Sequence, residues 1–251
     1  MRAPILYVFN ISHYCEKAHW ALDYFGIDHE VRHVMIGAHR RIAKKLGAKR
    51  GSVPFFQTEG GVIAGSSAII DWCEEHNPGK RASLSGVNPE EVRAMEKRLD
   101  DIVGVHVRRF YYSDALVNEP ASVRPIFSNG LPIWQRAAVT LGWSRIVPLM
   151  IKGMDLGVEQ GKQSRAVIEA ELDWLDGLLA DGRPYLHGNQ WTRADLTAAA
   201  LLGPLVAPKE HPMVDTVFFP TTVLKAMQDW AQRPALQFVR QMYSTHRAPH
   251  Y

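Results

Sequence analysis

Residues 5–25 read ILYVFNISHYCEKAHWALDYF and place a compact polar group, Ser12–Cys15, between two kinds of apolar pattern. The run before it, Ile5–Phe9, is short, apolar and rich in residues that favour strands. In the stretch after it, apolar residues recur at helical spacing as far as Phe25, and Gly26 then ends the helix. The sequence therefore predicts a strand, a turn, and a helix that starts at the polar group.

The start of a helix is a favourable place for an anion to bind. The backbone N–H groups of a first helical turn have no partner inside the helix, and the helix dipole makes that end positive. A thiolate is stabilised in such a place. Ser12 either donates a hydrogen bond to a thiolate or only caps the helix. Cys15, one turn further on, is either reactive or a small packed side chain.

Two further segments follow, and their order is more specific than either segment alone. Gly51–Phe56 leads into an apolar strand, and Gly65–Ile70 opens another helix. Between them, Phe55–Thr58 and Val62–Ala64 are predicted strands joined by a glycine-containing hairpin turn. The predicted order of elements is β-α-β-α-β-β-α, which is the order of a thioredoxin-like domain.

This order and spacing resemble the N-terminal domain of the glutathione transferases, in particular bacterial-type members with a Ser or Cys active-site motif. Val53-Pro54 is similar to the superfamily's cis-proline site, and Ser66–Ile69 is similar to its Ser-x-Ala-Ile helix start. Far along the chain, Tyr185–Leu196 is similar to the turn and Thr-x-Ala-Asp signature of the superfamily's helical domain. The resemblance covers residues 5–78 and 183–206.

The resemblance implies a glutathione-binding site. Val53 and Pro54 would pair with the cysteinyl part of glutathione like a short added strand. Ser66 and Ser67 would bind the γ-glutamyl carboxylate at the helix start, and plain capping of that helix is the alternative. Ser12 would be the catalytic group that lowers the pKa of the glutathione thiol.

Other groups compete for the chemistry or complete the site. Cys15 is the second catalytic candidate, because it could form a mixed disulfide with glutathione. Tyr7 is a competing hydroxyl, since a tyrosine near the end of this strand activates the thiol in some branches of the superfamily. The resemblance also implies a hydrophobic co-substrate pocket, for which the candidates are Phe110, Tyr111 and Tyr112. Packing between helices is the alternative role of these aromatic residues.

The helical period dominates beyond Pro89. Thr192–Leu202 is nearly uniformly apolar, which predicts a buried central helix, and Thr192 and Asp195 are spaced as a capping box. Four prolines between residues 113 and 163 predict that helices in this region are short or end at a proline.

We therefore predict two domains. The fold class is a thioredoxin-like α/β domain at residues 1–78 followed by an all-helical domain at residues 86–251. The resemblance also suggests a homodimer, although no residue pattern identifies the dimer interface.

Composition limits the other possibilities. The 251 residues are 46% hydrophobic and carry a net charge of only +3, with basic residues scattered in small groups, so nucleic-acid binding is not expected. The two cysteines fit a reducing compartment, and no apolar run has the length of a membrane span, so we expect a cytoplasmic protein. The spacing of His, Cys, Asp and Glu suggests no metal site, and no resident cofactor is expected.

The favoured function is glutathione transfer, in which the activated thiol attacks a small apolar electrophile, as in detoxification. One alternative is a glutathione-dependent thiol reductase that uses Cys15. The other is a non-catalytic binding protein with the same fold. Gly65 and Ser52 favour this last alternative, because they stand where the superfamily often has an acidic residue and a lysine that contact glutathione.

Overall fold

The computed structural model describes residues 3–211 and 217–247, and the chain divides into two compact units. The first unit consists of Met1–Ser83 and Arg124–Leu141, and the second of Leu84–Val123 and Gly142–Tyr251. The first boundary, between Ser83 and Leu84, lies between the two predicted domains, of which the first ends at residue 78 and the second begins at residue 86. The helical part is not one continuous piece of chain, however, because Arg124–Leu141 belongs to the first unit.

The first unit is built on a four-stranded mixed sheet. Its strands are β1 (Ile5–Val8), β2 (Glu30–His33), β3 (Phe55–Thr58) and β4 (Gly61–Ala64), in the spatial order β2-β1-β3-β4. β1 pairs in parallel with β2, and β3 pairs antiparallel with both β1 and β4. Three helices accompany the sheet: α1 (His13–Tyr24), α2 (Ala38–Lys45) and α3 (Ser66–His76). This arrangement confirms the predicted thioredoxin-like fold.

The ends of α1 follow from local chemistry. Ser12 is the N-cap residue, and its side chain accepts a hydrogen bond from the backbone N–H of Cys15. After Phe25, Gly26 adopts a φ of +66°, a conformation that glycine reaches without the steric cost that other residues meet. The helix therefore begins at the polar group and ends at the glycine, as the sequence predicts.

The second unit is helical. Its chain contains α4 (Pro89–Arg98), a π-helical stretch (Leu99–Gly104) and α5 (Val105–Asn118), which together form the long helix expected after Pro89. Further along the chain are α6 (Pro120–Ser128) and α7 (Ile133–Met154), which lie partly in the first unit. The second unit then continues with α8 (Val158–Leu179), α9 (Arg193–Leu202), α10 (Thr221–Trp230) and α11 (Pro234–His246). In residues 3–211 and 217–247 no helix combines the length and apolar character that crossing a bilayer requires.

The prediction of short helices between residues 113 and 163 is wrong for α7, which runs for 22 residues with Pro148 inside it. A proline within a helix costs about 3 kcal/mol, because it removes a hydrogen bond and its ring meets the preceding turn. Val139, Trp143 and Val147 are buried at four-residue intervals along α7. Burial of this stripe offsets the cost of the proline.

The predicted capping box at the start of α9 is confirmed. The Asp195 carboxylate accepts hydrogen bonds from the backbone N–H and the hydroxyl of Thr192, each at 2.7 Å, and from the N–H of Leu186 at 2.6 Å. Burial raises the pKa of Asp195 to about 6, and these hydrogen bonds act in the opposite direction. Asp195 thus has a structural role.

Candidate functional site

Ser12 lies at the junction of β1 and α1, half-buried, where the sequence predicts it. Its Oγ is 3.3 Å from the backbone nitrogen of Cys15 and accepts that N–H. A hydroxyl has one hydrogen to donate in addition to its acceptor lone pairs. The cap uses a lone pair, so capping and donation to a thiolate are compatible roles of the same group.

The environment of Cys15 differs from that of a reactive cysteine. Its side chain is only 3% exposed. Burial raises the pKa of the thiol to about 12, and the hydrogen bond with Ser12 offsets only part of that rise. A neutral, enclosed thiol is a poor nucleophile, so the environment of Cys15 favours the packing role over the catalytic one.

The chain's two cysteines should therefore resist alkylation in the folded protein. Burial raises the pKa of Cys73 to about 12 as well, and both are free thiols. We expect iodoacetamide at pH 8 to leave Cys15 and Cys73 unmodified in the native protein and to modify both in denaturant, as read by intact mass. Rapid alkylation of Cys15 in the folded protein would contradict its packing role and support the reductase alternative.

The hydroxyl of Tyr7 is already hydrogen-bonded to residues of the sheet. Its hydroxyl donates to Oε1 of Gln57 at 2.9 Å, and its side chain is buried. Arg32 also donates to the Tyr7 hydroxyl, at 3.4 Å. This network leaves Ser12 as the better placed hydroxyl.

The Val53-Pro54 peptide bond is cis, as the resemblance implies. The carbonyl of Pro54 accepts a hydrogen bond from the N–H of Gly65 at 3.0 Å, which ties this turn to the start of α3. Within the part of the chain that the structure describes, the N–H and C=O groups of Val53 have no hydrogen-bond partner. An extended peptide could pair with them in the manner of an added strand.

The start of α3 differs from the expectation that Ser66 and Ser67 cap it. Gly65 is the N-cap residue, with a φ of +101°, and no side-chain cap is present in the described structure. Ser66 and Ser67 are instead the first two helical residues, and Ser66 is buried. A first turn without a side-chain cap is a place where a carboxylate can bind.

Lys17 is the main functional candidate that the sequence reading missed. The helical pattern predicts that Glu16, Lys17 and Asp23 face solvent. This is wrong for Glu16 and Lys17, which are 5% and 0% exposed. The Nζ of Lys17 donates to Oγ of Ser67 at 3.1 Å, so an ammonium lies against the start of α3. In the sequence, Lys17 stands out only by its position about one and a half helical turns after Ser12. Such a spacing is too common to indicate a functional residue.

Phe110, Tyr111 and Tyr112 are buried within the second unit. The hydroxyl of Tyr111 donates to the backbone carbonyl of Phe218 at 2.6 Å, and the ring centroids of Phe110 and Trp230 are 6.0 Å apart. Burial raises the pKa of both tyrosines. These contacts favour packing between helices over the predicted co-substrate pocket.

Arg124–Leu141 contacts the end of β1, close in sequence to Ser12. The side-chain amide of Asn10 donates to the backbone carbonyl of Asn129 at 3.0 Å. The ring centroids of Phe9 and Phe127 are 6.2 Å apart in an edge-on contact. The proline-rich sequence of this region does not predict that it contacts β1.

Comparison with known proteins agrees with this geometry. The sequence of residues 6–81 matches the family described as glutathione S-transferase, N-terminal domain. A sequence search of curated proteins gave no significant match.

Three solved structures illustrate the likeness over the full length. Glutathione transferase GSTFuA2 from Phanerochaete chrysosporium is 17% identical, with a TM-score of 0.66 and coverage of 100% of both chains. The glutathione S-transferase CsGST63524 of Ceriporiopsis subvermispora, solved in complex with glutathione, is 17% identical, with a TM-score of 0.64 and coverage of 97% of this chain and 96% of that one. Beta-etherase LigF from Sphingobium sp. strain SYK-6 is 20% identical, with a TM-score of 0.58 and coverage of 96% and 99%.

Proposed function

We propose that the chain, whose residues 6–81 match the glutathione S-transferase N-terminal domain family, binds glutathione in its first unit and activates the thiol for attack on an electrophile. The observation that carries the proposal is the grouping of Ser12, the cis Val53-Pro54 turn and the uncapped start of α3 in one unit. The cysteinyl backbone of glutathione would pair with Val53. Its γ-glutamyl carboxylate would lie at the first turn of α3.

Ser12 would hold the sulfur as a thiolate. A free cysteine thiol has a pKa near 8.5, and lowering it by about 2 units requires about 2.7 kcal/mol. A hydrogen bond to a charged group contributes about 1.5–3 kcal/mol, and the dipole at a helix start adds about 0.3–1 kcal/mol. The Ser12 hydroxyl and the start of α1 together are therefore sufficient. The thiol proton would pass to solvent, and the thiolate would form a C–S bond to an electrophilic carbon of the second substrate while the leaving group on that carbon departs with the electron pair of the bond that breaks.

Transfer is favoured over thiol reduction. A reductase cycle through Cys15 needs an accessible thiolate, whereas this thiol is buried and its pKa is raised to about 12. For the apolar electrophile, Phe9 is a better placed contact than Phe110–Tyr112, because it is half-buried and its carbonyl accepts the N–H of Ser12 at 3.1 Å.

Calorimetric titration with glutathione tests the proposal. We expect saturable binding with one glutathione per chain, and a rise in thiolate ultraviolet absorbance when the complex forms near neutral pH. Absence of binding at millimolar glutathione would refute the proposal and favour the non-catalytic alternative. Binding without thiolate formation would refute the role of Ser12 while leaving the binding site in place.

Lys17 provides a residue-specific test of where the carboxylate binds. Lys17→Met keeps the length of the buried side chain and removes the ammonium beside Ser67. Because the Lys17 ammonium has no exposed surface, it would act on the carboxylate through its nearby charge and through Ser67, and we expect glutathione affinity to fall about 10-fold. Lys44→Met, at an exposed position of α2, is the matched control and should bind as the parent does. Equal affinity in both variants would place the carboxylate elsewhere.

A further inference from the structure

Three metal-binding groups meet at the far end of α1 from Ser12. His19 and Asp23 lie on the helix, and His29 lies in the loop that leads to β2. One ligand atom from each of the three lies within 4.8 Å of the other two, and Nε2 of His19 is 3.6 Å from Oδ2 of Asp23. The rings of the two histidines are perpendicular, with centroids 5.1 Å apart. The sequence-based expectation of no metal site did not anticipate this cluster.

The local fold brings the groups together. His19 and Asp23 are four residues apart, so they share one face of the helix. The chain then reverses at Gly26, where the N–H of Ile27 donates to the carbonyl of Leu22 at 3.0 Å. At the start of β2 the N–H of Glu30 donates to the carbonyl of Pro4 at 2.8 Å. His29 is therefore held against the last turns of α1 by backbone hydrogen bonds on both sides.

The hydrogen bonding of His29 prepares one ring nitrogen for a metal. Its Nδ1 is 2.8 Å from the backbone carbonyl of Ile27. A carbonyl only accepts, so Nδ1 carries the proton and the neutral ring has its free lone pair on Nε2. That Nε2 is buried and has no hydrogen-bond partner in the described structure. Metal-ligating histidines commonly donate their other ring N–H to a backbone carbonyl in this way.

We propose that His19, Asp23 and His29 bind a divalent transition-metal ion, with zinc as the best fit. The ligands would be Nε2 of each histidine and a carboxylate oxygen of Asp23, with water in the fourth position. Metal–ligand bonds of about 2.0–2.1 Å put tetrahedral ligands about 3.4 Å apart, so small side-chain rotations bring the three atoms into range. Two imidazoles favour zinc over calcium or magnesium, which prefer oxygen ligands.

The ion would have a structural role and would lie away from the proposed glutathione site. His19 is seven residues beyond Ser12, which is about 10 Å along a helix at 1.5 Å per residue. A metal there would tie the end of α1 to the chain entering β2. Metal binding at this site is therefore independent of glutathione binding.

Titration of the chelator-treated, full-length protein with zinc tests the inference. We expect one saturable site per chain, and zinc should raise the Tm of the parent protein. Cobalt at the same site should give the visible absorption of a tetrahedral ion with nitrogen and oxygen ligands. Absence of saturable zinc binding would overturn the proposal and leave His19 and Asp23 as an ion pair only.

Variants assign the ligands. Asp23→Asn keeps the shape of the side chain and removes its charge, and His29→Gln keeps a polar group in the loop. Because changes even outside the ligand shell weaken metal sites about 10- to 100-fold, each variant should weaken zinc binding by at least about 10-fold and abolish the zinc-dependent rise in Tm. His76→Ala, an exposed histidine of the same unit, is the control and should bind as the parent does. Unchanged zinc affinity in Asp23→Asn and His29→Gln, or equal loss in His76→Ala, would overturn the assignment.

Discussion

Ser12→Ala is expected to lower kcat/KM for glutathione conjugation by about 10- to 100-fold, because it removes a hydrogen bond to the thiolate that contributes about 1.5–3 kcal/mol. The pKa of bound glutathione should rise in the same variant, since its sulfur loses the donor. The measurements are initial rates with a general electrophilic substrate and a thiolate titration of the bound complex.

Ser12 also caps α1, so the controls must separate stability from chemistry. The loss of a cap costs about 1 kcal/mol, which lowers the Tm without removing a catalytic donor. Ser12→Thr retains the hydroxyl and should retain both activity and stability. Ser12→Asp can still cap the helix but has no hydrogen to donate when ionised, so it should fold and be inactive. High activity in Ser12→Ala or Ser12→Asp would contradict the catalytic role.

Glu96→Ala is expected to produce the largest loss of stability in the second unit. The Arg193 side chain is 0% exposed, and its Nε is 2.6 Å from Oε2 of Glu96. Its Nη2 also donates to Oε1 of Glu96 at 3.2 Å. Removing one partner of a buried ion pair leaves an uncompensated charge and costs about 3–5 kcal/mol. For a chain of this size that is a fall in Tm of about 6–20 °C.

Thermal unfolding of matched variants checks this expectation. Glu90→Ala changes an exposed glutamate of the same helix, α4, and should leave the Tm close to that of the parent. A double variant, Glu96→Leu with Arg193→Met, replaces both charges by apolar groups and should recover much of the lost stability. Equal Tm values for Glu96→Ala and Glu90→Ala would show that the pair contributes little.

Local pattern was sufficient for much of the fold. Phe55–Thr58 is a strand with the predicted bounds, because aromatic and β-branched residues favour strands and a glycine-containing hairpin turn follows directly. The capping box of Thr192 and Asp195 could be predicted because its groups are three residues apart. The cis bond before Pro54 followed from the resemblance, since sequence alone gives little reason to expect it.

The candidate site was harder to predict because its polar groups meet across long sequence separations. The buried ammonium of Lys17 donates to Ser67, fifty residues later, and helical periodicity carries no information about that partner. Asn129 reaches Asn10 from a proline-containing region whose local pattern predicted only short helices. His29 joins His19 and Asp23 only once the chain has reversed at Gly26.

A crystal structure with bound glutathione would show where the thiol lies. We expect the glutathione sulfur within hydrogen-bonding distance of Oγ of Ser12 and the cysteinyl backbone paired with Val53. We also expect the γ-glutamyl carboxylate at the first turn of α3. Glutathione bound with its sulfur remote from Ser12, or bound away from the Val53-Pro54 turn, would contradict the proposed glutathione site.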